Sequence, residues 1–256
     1  MTMNSLKIGV LAVQGAFIEH EKIMDALGAK CVELRKASDV SQSLDGIILP
    51  GGESSVQGKL LRELGMFENL KALIQKDIPV LATCAGMILL ATSVTQGIGS
   101  GDNSLTQAND GEPLNSDKSS LAPHLSQGFS STQFGGSNMA SQDFASVNKE
   151  SSQSNVSAPP YFATFPMRVR RNAFGRQLGS FSANENYGQL GEYPMVFIRG
   201  PIVEKIDKDA KTLATSKGNI VAAQYKNQTA LAFHPELTRD TRIHEQFFDL
   251  AKEVRG

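Results

Sequence analysis

Cysteine is scarce: Cys31 and Cys84 are the only two in 256 residues, too few for a disulfide framework. Neither stands at metal-ligand spacing from any of the four histidines, so no metal site is expected. An excess of charge is missing as well, with 25 Lys and Arg against 26 Asp and Glu, a formal net charge of −1. Such a chain has no electrostatic grip on nucleic acid or on an anionic membrane. No stretch of eighteen apolar residues occurs, and the opening MTMNSLKIGVLAVQG is too short and too polar for a signal peptide. These absences lead us to expect a soluble, cytoplasmic protein with reduced thiols. Aromatics make up only 7%, so the 40% hydrophobic fraction must fill its core with aliphatic side chains. The length suits one large α/β domain or two small ones.

Composition divides the chain. From Gly97 to Ala158, 15 of 62 positions are serine, and Asn, Gln, Gly and Asp supply much of the rest. Apolar residues there follow neither a strand nor a helix period, and too few exist to offset the entropy of ordering. We read about 97–158 as a surface insertion without a catalytic role, and its His124 as solvated. One domain is therefore expected over 1–256, interrupted by that segment.

The flanks alternate between strand and helix patterns. KIGVLAV (Lys7 to Val13), Cys31 to Leu34, GIIL (Gly46 to Leu49) and PVLA (Pro79 to Ala82) read as buried strands. Phe17 to Leu27, Leu60 to Ile74 with a break near Gly65, and MILLAT read as helices. This alternation predicts a parallel sheet covered on both faces, a three-layer αβα sandwich. Beyond the insertion, Met167 to Val169, Met195 to Ile198, Lys211 to Thr215, Ile220 to Tyr225 and Ala230 to Phe233 read as short strands, several antiparallel at the sheet edge. An amphipathic helix over Asp240 to Val254 closes the chain, with Ile243, Phe247, Leu250 and Val254 on its apolar stripe.

Cys84 falls where a strand meets a helix. A sharp turn there thrusts a nucleophile out of the sheet, and the helix N-terminus behind it favours thiolate. Ala82, Ala85 and Gly86 are small enough for the crowding, and the Ala85 amide would face a developing oxyanion. Taken alone, Cys84 is as readily a buried, inert thiol. Phe233-His234-Pro235-Glu236 ends another apolar strand. Its histidine can act as base to the thiol and its carboxylate can orient the ring. The separation from Cys84 is 234 − 84 = 150 residues, so only the fold can join them. Strand C-termini are where open α/β sheets gather ligands. Pro50-Gly51-Gly52-Glu53-Ser54-Ser55 follows a strand with two glycines whose amides can meet an oxyanion, and Glu53 can meet an ammonium. It reads equally as a turn with a helix cap. Arg170, Arg171 and Arg176 in one segment, and Arg199 in FIRGP, are candidates for a substrate carboxylate. His20 and His244 lie on helix faces among charged neighbours and read as solvated.

KIGVLAVQGAFIEH, DGIILPGGESS, ATCAGMILLA, RRNAFGRQ, FIRGP and AFHPELT together resemble the glutaminase subunits of pyridoxal 5′-phosphate synthase, a family of class I (triad) glutamine amidotransferases. The likeness spans about residues 6–96 and 160–252. Cys with His-x-Glu indicates only the class; VQG, PGGES, RRNAFGRQ and FIRGP indicate the family. The resemblance implies a flavodoxin-like fold, with a mostly parallel sheet and antiparallel edge strands. It implies Cys84 as nucleophile, His234 as its base and Glu236 as the orienting carboxylate. Gly52, Glu53, Ser54, Arg171, Ile198 and Arg199 would contact L-glutamine, and amides of Gly51, Gly52 and Ala85 would form the oxyanion hole. No cofactor is implied. Ammonia would pass to a separate synthase subunit, in a large hetero-oligomer that makes vitamin B6 and switches the glutaminase on.

Three departures stand out. The family usually has Gly where Ala82 stands, a methyl that would crowd the nucleophile turn. Ser55 replaces the usual Thr, and the insertion replaces a short connection. The alternatives are a glutaminase for another synthase, or a silent regulatory subunit that binds a partner without hydrolysing glutamine.

Overall fold

The structure is a computed structural model that describes residues 5–40, 42–96, 161–174 and 180–256. The segment read as an insertion, with His124, lies outside the described residues, as do Gly175 and Arg176. In chain order the elements are β1 (Lys7–Leu11), α1 (Phe17–Ala26), β2 (Lys30–Leu34), α2 (Ala37–Val40), β3 (Gly46–Leu49), α3 (Ser54–Glu63) and α4 (Phe67–Gln75). Then come β4 (Val80–Thr83), α5 (Ala85–Leu90), β5 (Ala91–Thr95), β6 (Phe165–Arg170), β7 (Ser180–Asn186) and β8 (Glu192–Ile198). β9 (Ile202–Ile206), β10 (Lys211–Ser216), β11 (Asn219–Tyr225), β12 (Gln228–Leu231) and α6 (Arg242–Arg255) complete the described chain.

The main sheet runs β2-β1-β3-β4-β12-β11-β9-β6-β5, with β10 beside β11. β2, β1, β3, β4 and β12 are parallel, whereas β12–β11, β11–β9, β11–β10 and β9–β6 are antiparallel. The parallel half is the aliphatic half: every residue of β3 and β4 is buried, as a strand covered on both faces requires. From β1 the chain steps outward to β2, and from β3 it steps the opposite way to β4. Right-handed crossovers therefore put α1 on one face and α3 and α4 on the other. Contacts of α1 with α6, and of α3 with α4 and α5, complete the three layers. β7 and β8 form a separate two-stranded ribbon, where Phe181 and Phe197 stack with centroids 4.5 Å apart.

Several boundaries differ from the sequence expectation. Helix α3 begins six residues before Leu60, because Glu53 caps it by accepting the Ser55 N–H at 3.0 Å. MILLAT divides: α5 ends at Leu90 and Ala91–Thr95 leaves as β5, whose β-branched Thr92, Val94 and Thr95 suit a strand. On α6 the buried face is Ile243, His244, Phe247 and Ala251; Val254 is exposed and Leu250 only partly covered. No described helix is long and apolar enough to cross a membrane.

Candidate active site

Parallel strands end on the same side of a sheet, and that geometry assembles the site. β1, β3, β4 and β12 are neighbours in register, with Val10 beside Ile48, Leu49 beside Ala82, and Thr83 beside Leu231. Their C-terminal exits carry Gln14-Gly15, Gly51-Gly52, Cys84 and His234 to one rim.

Cys84 occupies the turn between β4 and α5 with φ 47° and ψ −99°, outside the ordinary regions for a side-chain-bearing residue. Such strain costs about 1–3 kcal/mol and persists only where the surroundings enforce it. Here the Cys84 N–H donates to Leu231 O at 2.7 Å and its carbonyl accepts from Ile88 at 3.3 Å. Gly86 completes the turn, since a Cβ there would stand 2.0 Å from Leu49 O. The sulfur lies 3.8 Å from the Ile198 carbonyl oxygen. Ala82, fully buried, is a regular β4 residue paired with Leu49 and Ala230, and its φ is not positive.

His234 leaves the β12 segment with its N–H held by Val196 O at 2.9 Å, and Pro235 starts a short 3-10 turn that brings Glu236 back beneath the ring. Nδ1 meets Glu236 Oε1 at 2.6 Å, and the Cys84 thiol is near enough to the ring to raise its pKa. Burial on its own would lower the His234 pKa. The hydrogen bonds and charges of Cys84 and Glu236 outweigh it and push the ring up to about 10, so it is a strong base toward the adjacent sulfur. Cys31, by contrast, is pushed up to about 12, first by burial and then by Asp25 and Glu21, and is inert.

Gly51 lies against the same imidazole; a Cβ at this position would stand 2.2 Å from His234 Cε1. Its carbonyl accepts the Ala16 N–H at 3.2 Å, and the following loop is tied down by Gln14, whose Oε1 accepts the Glu53 N–H at 2.8 Å. Gln57 is buried and donates from Nε2 to the Gln14 carbonyl at 2.9 Å. Gln14 stood out in the sequence only as part of the family motif VQG, without a role of its own, and Gln57 did not stand out at all.

Glu53 and Arg171 form an ion pair at 2.6 Å, and Arg171 also donates to Ser55 Oγ at 3.0 Å. Partial burial alone would raise the Glu53 carboxyl, but the Ser55 amide and Arg171 hold it below the usual carboxylate range. Ser54 is buried, and its Oγ has no hydrogen-bond partner among the described residues. Ile198 and Arg199 are exposed, Arg199 with φ 48°, beside the backbone oxygen that faces the sulfur. Arg170 turns away to pair with Glu204 at 3.2 Å. No cluster able to hold a metal ion occurs among the described residues.

A family model for SNO glutamine amidotransferases matches residues 10–104 and 147–253. The chain belongs to the SNO glutamine amidotransferase family. Two curated relatives are named pyridoxal 5′-phosphate synthase subunit PdxT. That of Desulfitobacterium hafniense is 45% identical over 95% of this chain and 92% of its own. That of Streptococcus pneumoniae is 38% identical over 98% of this chain and 100% of its own. Among solved structures, a glutamine amidotransferase superposes with TM-score 0.67 at 28% identity, covering 96% of this chain and 98% of the other. PurLQS of Thermotoga maritima shares the fold alone, with TM-score 0.53 at 10% identity over 99% and 100% of the two chains.

The structure corrects one expectation for this SNO family member: His20 and His244 are not solvated. Both are fully buried between α1 and α6, with His20 Nδ1 2.9 Å from His244 Nε2. Burial, reinforced by the His244 and His234 charges, holds His20 well below its ordinary pKa, and burial alone lowers His244 to about 4. Unfolding exposes both to water, where they bind protons near pH 6.5. The stability that depends on this pair is therefore complete above about pH 6.5 and falls as the pH drops toward 4, by about 1.4 kcal/mol per pH unit for each histidine. His234, raised to about 10, adds a constant stabilisation below about pH 6.5, which is lost only as the pH rises above that value toward 10. Urea unfolding between pH 7 and 5 checks this; a pH-independent midpoint there contradicts it.

Proposed function

We propose that the chain hydrolyses L-glutamine to glutamate and ammonia at Cys84, and that it supplies the ammonia to the synthase subunit of a cytoplasmic pyridoxal 5′-phosphate synthase. The observation that carries the hydrolysis is a His234 imidazole bonded to Glu236 and acted on by Cys84, which itself sits at a strained strand-to-helix turn. PdxT relatives that carry the name of that synthase support the partner.

His234 holds the proton drawn from the thiol, and Cys84 Sγ attacks the side-chain amide carbon of glutamine as the thiolate. The carbonyl oxygen becomes an oxyanion, stabilised by the Ala85 amide at the start of α5 and by amides of the Gly51-Gly52 loop. As the C–N bond breaks, His234 returns its proton to the departing nitrogen, which leaves as ammonia. A glutamyl thioester remains. The now neutral His234 draws a proton from water, hydroxide adds to the thioester carbon, and the C–S bond breaks to release glutamate and restore the thiol. Glu236 holds the ring in the tautomer with Nδ1–H, so that Nε2 faces the sulfur. An α-amino acid carries an ammonium and a carboxylate. Glu53 offers the counter-charge for the first, and Arg171 and Arg199 for the second, with the Ser54 hydroxyl and the Ile198 backbone beside them.

Glutamate production by the chain mixed with a pyridoxal phosphate synthase subunit tests this. Turnover should be low for the chain alone and rise on mixing. No rise with a synthase subunit that makes pyridoxal phosphate from added ammonium would count against the assignment.

A further inference from the structure

The two buried histidines stand directly behind the triad. Glu236 commits Oε1 to His234 at 2.6 Å. Its Oε2 is sealed from solvent, makes no hydrogen bond of ordinary length, and faces His20 Nε2 at 3.4 Å. Thr83 Oγ1 is also 3.4 Å from that nitrogen. The far side of the ring is anchored, with Nδ1 at 2.9 Å from His244 Nε2.

Proton counting along this row favours one arrangement, with the Thr83 hydroxyl, a donor or acceptor at 3.4 Å, able to serve either. An ionised carboxylate only accepts, so a bare His20 Nε2 would set one lone pair against another in a dry site. With Nε2–H on His20, its Nδ1 is an acceptor and receives from His244 Nε2–H. His244 Nδ1 is then left bare, and that atom has no hydrogen-bond partner among the described residues. The reverse arrangement would bury an unpaired N–H at that position, the costlier fault.

We infer that His20, its tautomer set by His244, is a positioning residue that fixes Glu236 from behind while Glu236 fixes His234. This rests on reading Cys84, His234 and Glu236 as the hydrolytic triad. A carboxylate held at one oxygen can swing about its last torsion, and the imidazole swings with it. Held at both oxygens, it presents His234 to the sulfur in one orientation. The 3.4 Å approach is long for N–H···O, and resting hydrogen bonds of this kind tighten when substrate is bound.

Two substitutions of matched length separate hydrogen bonding from packing. His20→Gln keeps a neutral N–H near the position of Nε2, and His20→Met keeps the bulk without a donor. In complex with the synthase subunit, His20→Met should lose about ten- to a hundredfold in kcat with KM within about twofold, and His20→Gln should recover most of that loss. Parental kcat in His20→Met, or an equal loss in both folded variants, overturns the inference. Ring ¹⁵N NMR of the unsubstituted chain decides the matter even where a variant does not fold: His20 should be the neutral Nε2–H tautomer, and an Nδ1–H tautomer overturns it. If the unsubstituted complex showed no Cys84-dependent hydrolysis, the triad reading itself would fail and the role with it, a result distinct from either outcome at His20.

Discussion

Replacing Cys84 by alanine is expected to lower glutamine hydrolysis by about 10⁴-fold or more while leaving the fold in place. The thioester needs a thiol, and Cys84 is the one thiol at that turn. Cys31 is the remaining thiol, and its pKa of about 12 leaves it protonated. Alanine keeps the Cβ, so the backbone at φ 47° feels the same strain and the bonds to Leu231 and Ile88 persist. The sulfur itself contributes only a weak contact to the Ile198 carbonyl at 3.8 Å and its interaction with His234. His234 loses that partner, so its pKa must fall from about 10 toward the usual value. Glutamate release by the complex and the melting temperature of the chain measure the two halves of this expectation. Hydrolysis that survived the substitution would remove Cys84 from the nucleophile's role.

That result would also test how much a bare sequence discloses. Cys84, His234 and Gly51 could be placed at strand ends because each follows a short aliphatic run, and a parallel sheet aligns such ends without further information. Glu236 was legible through His234, two positions away. The Glu53–Arg171 ion pair was not: the two residues are 118 apart in sequence, and each read separately as a substrate contact. His20 and His244 misled for a physical reason. Glu19, Glu21 and Glu245 flank them, and charged neighbours mark a helix as exposed in any local reading. Their burial comes from α1 packing on α6, a contact across 224 residues, and from a histidine pair whose two facing nitrogens satisfy each other. β7 escaped notice because SFSANEN offers too little apolar alternation; its order comes from seven paired positions on β8. The methyl of Ala82 had looked like a hazard to the nucleophile turn. In the folded chain it sits in regular strand register, and the crowded position is Gly86, two residues beyond Cys84.

Gly51→Ala should damage catalysis more than stability. Gly51 does not adopt a positive φ, so alanine is allowed by the backbone there and the new methyl is the whole perturbation. That methyl would stand 2.2 Å from Cε1 and 2.9 Å from Nδ1 of His234. One of the two must move. His234 is restrained by Val196 through its amide at 2.9 Å and by Glu236 through its ring at 2.6 Å. The loop is restrained by the Ala16 N–H on Gly51 O, and Gly15 already packs so close that a Cβ on it would meet that oxygen at 1.8 Å. If the ring yields, base and sulfur separate; if the loop yields, the amides proposed for the oxyanion retreat. Either displacement is of the order of 1 Å, which costs about a hundredfold in turnover when reacting groups are misplaced. The fold loses only the overpacking penalty, about 1–3 kcal/mol, so the chain should still assemble with its partner. The signature is a kcat lowered about a hundredfold in a complex that forms normally. Slowed alkylation of Cys84 would assign the loss to a displaced ring, because the sulfur would have lost its base, whereas an unchanged rate would assign it to the loop. Parental turnover in this variant would show that the imidazole does not rest against Gly51 during the reaction, and would contradict the arrangement of the site described above.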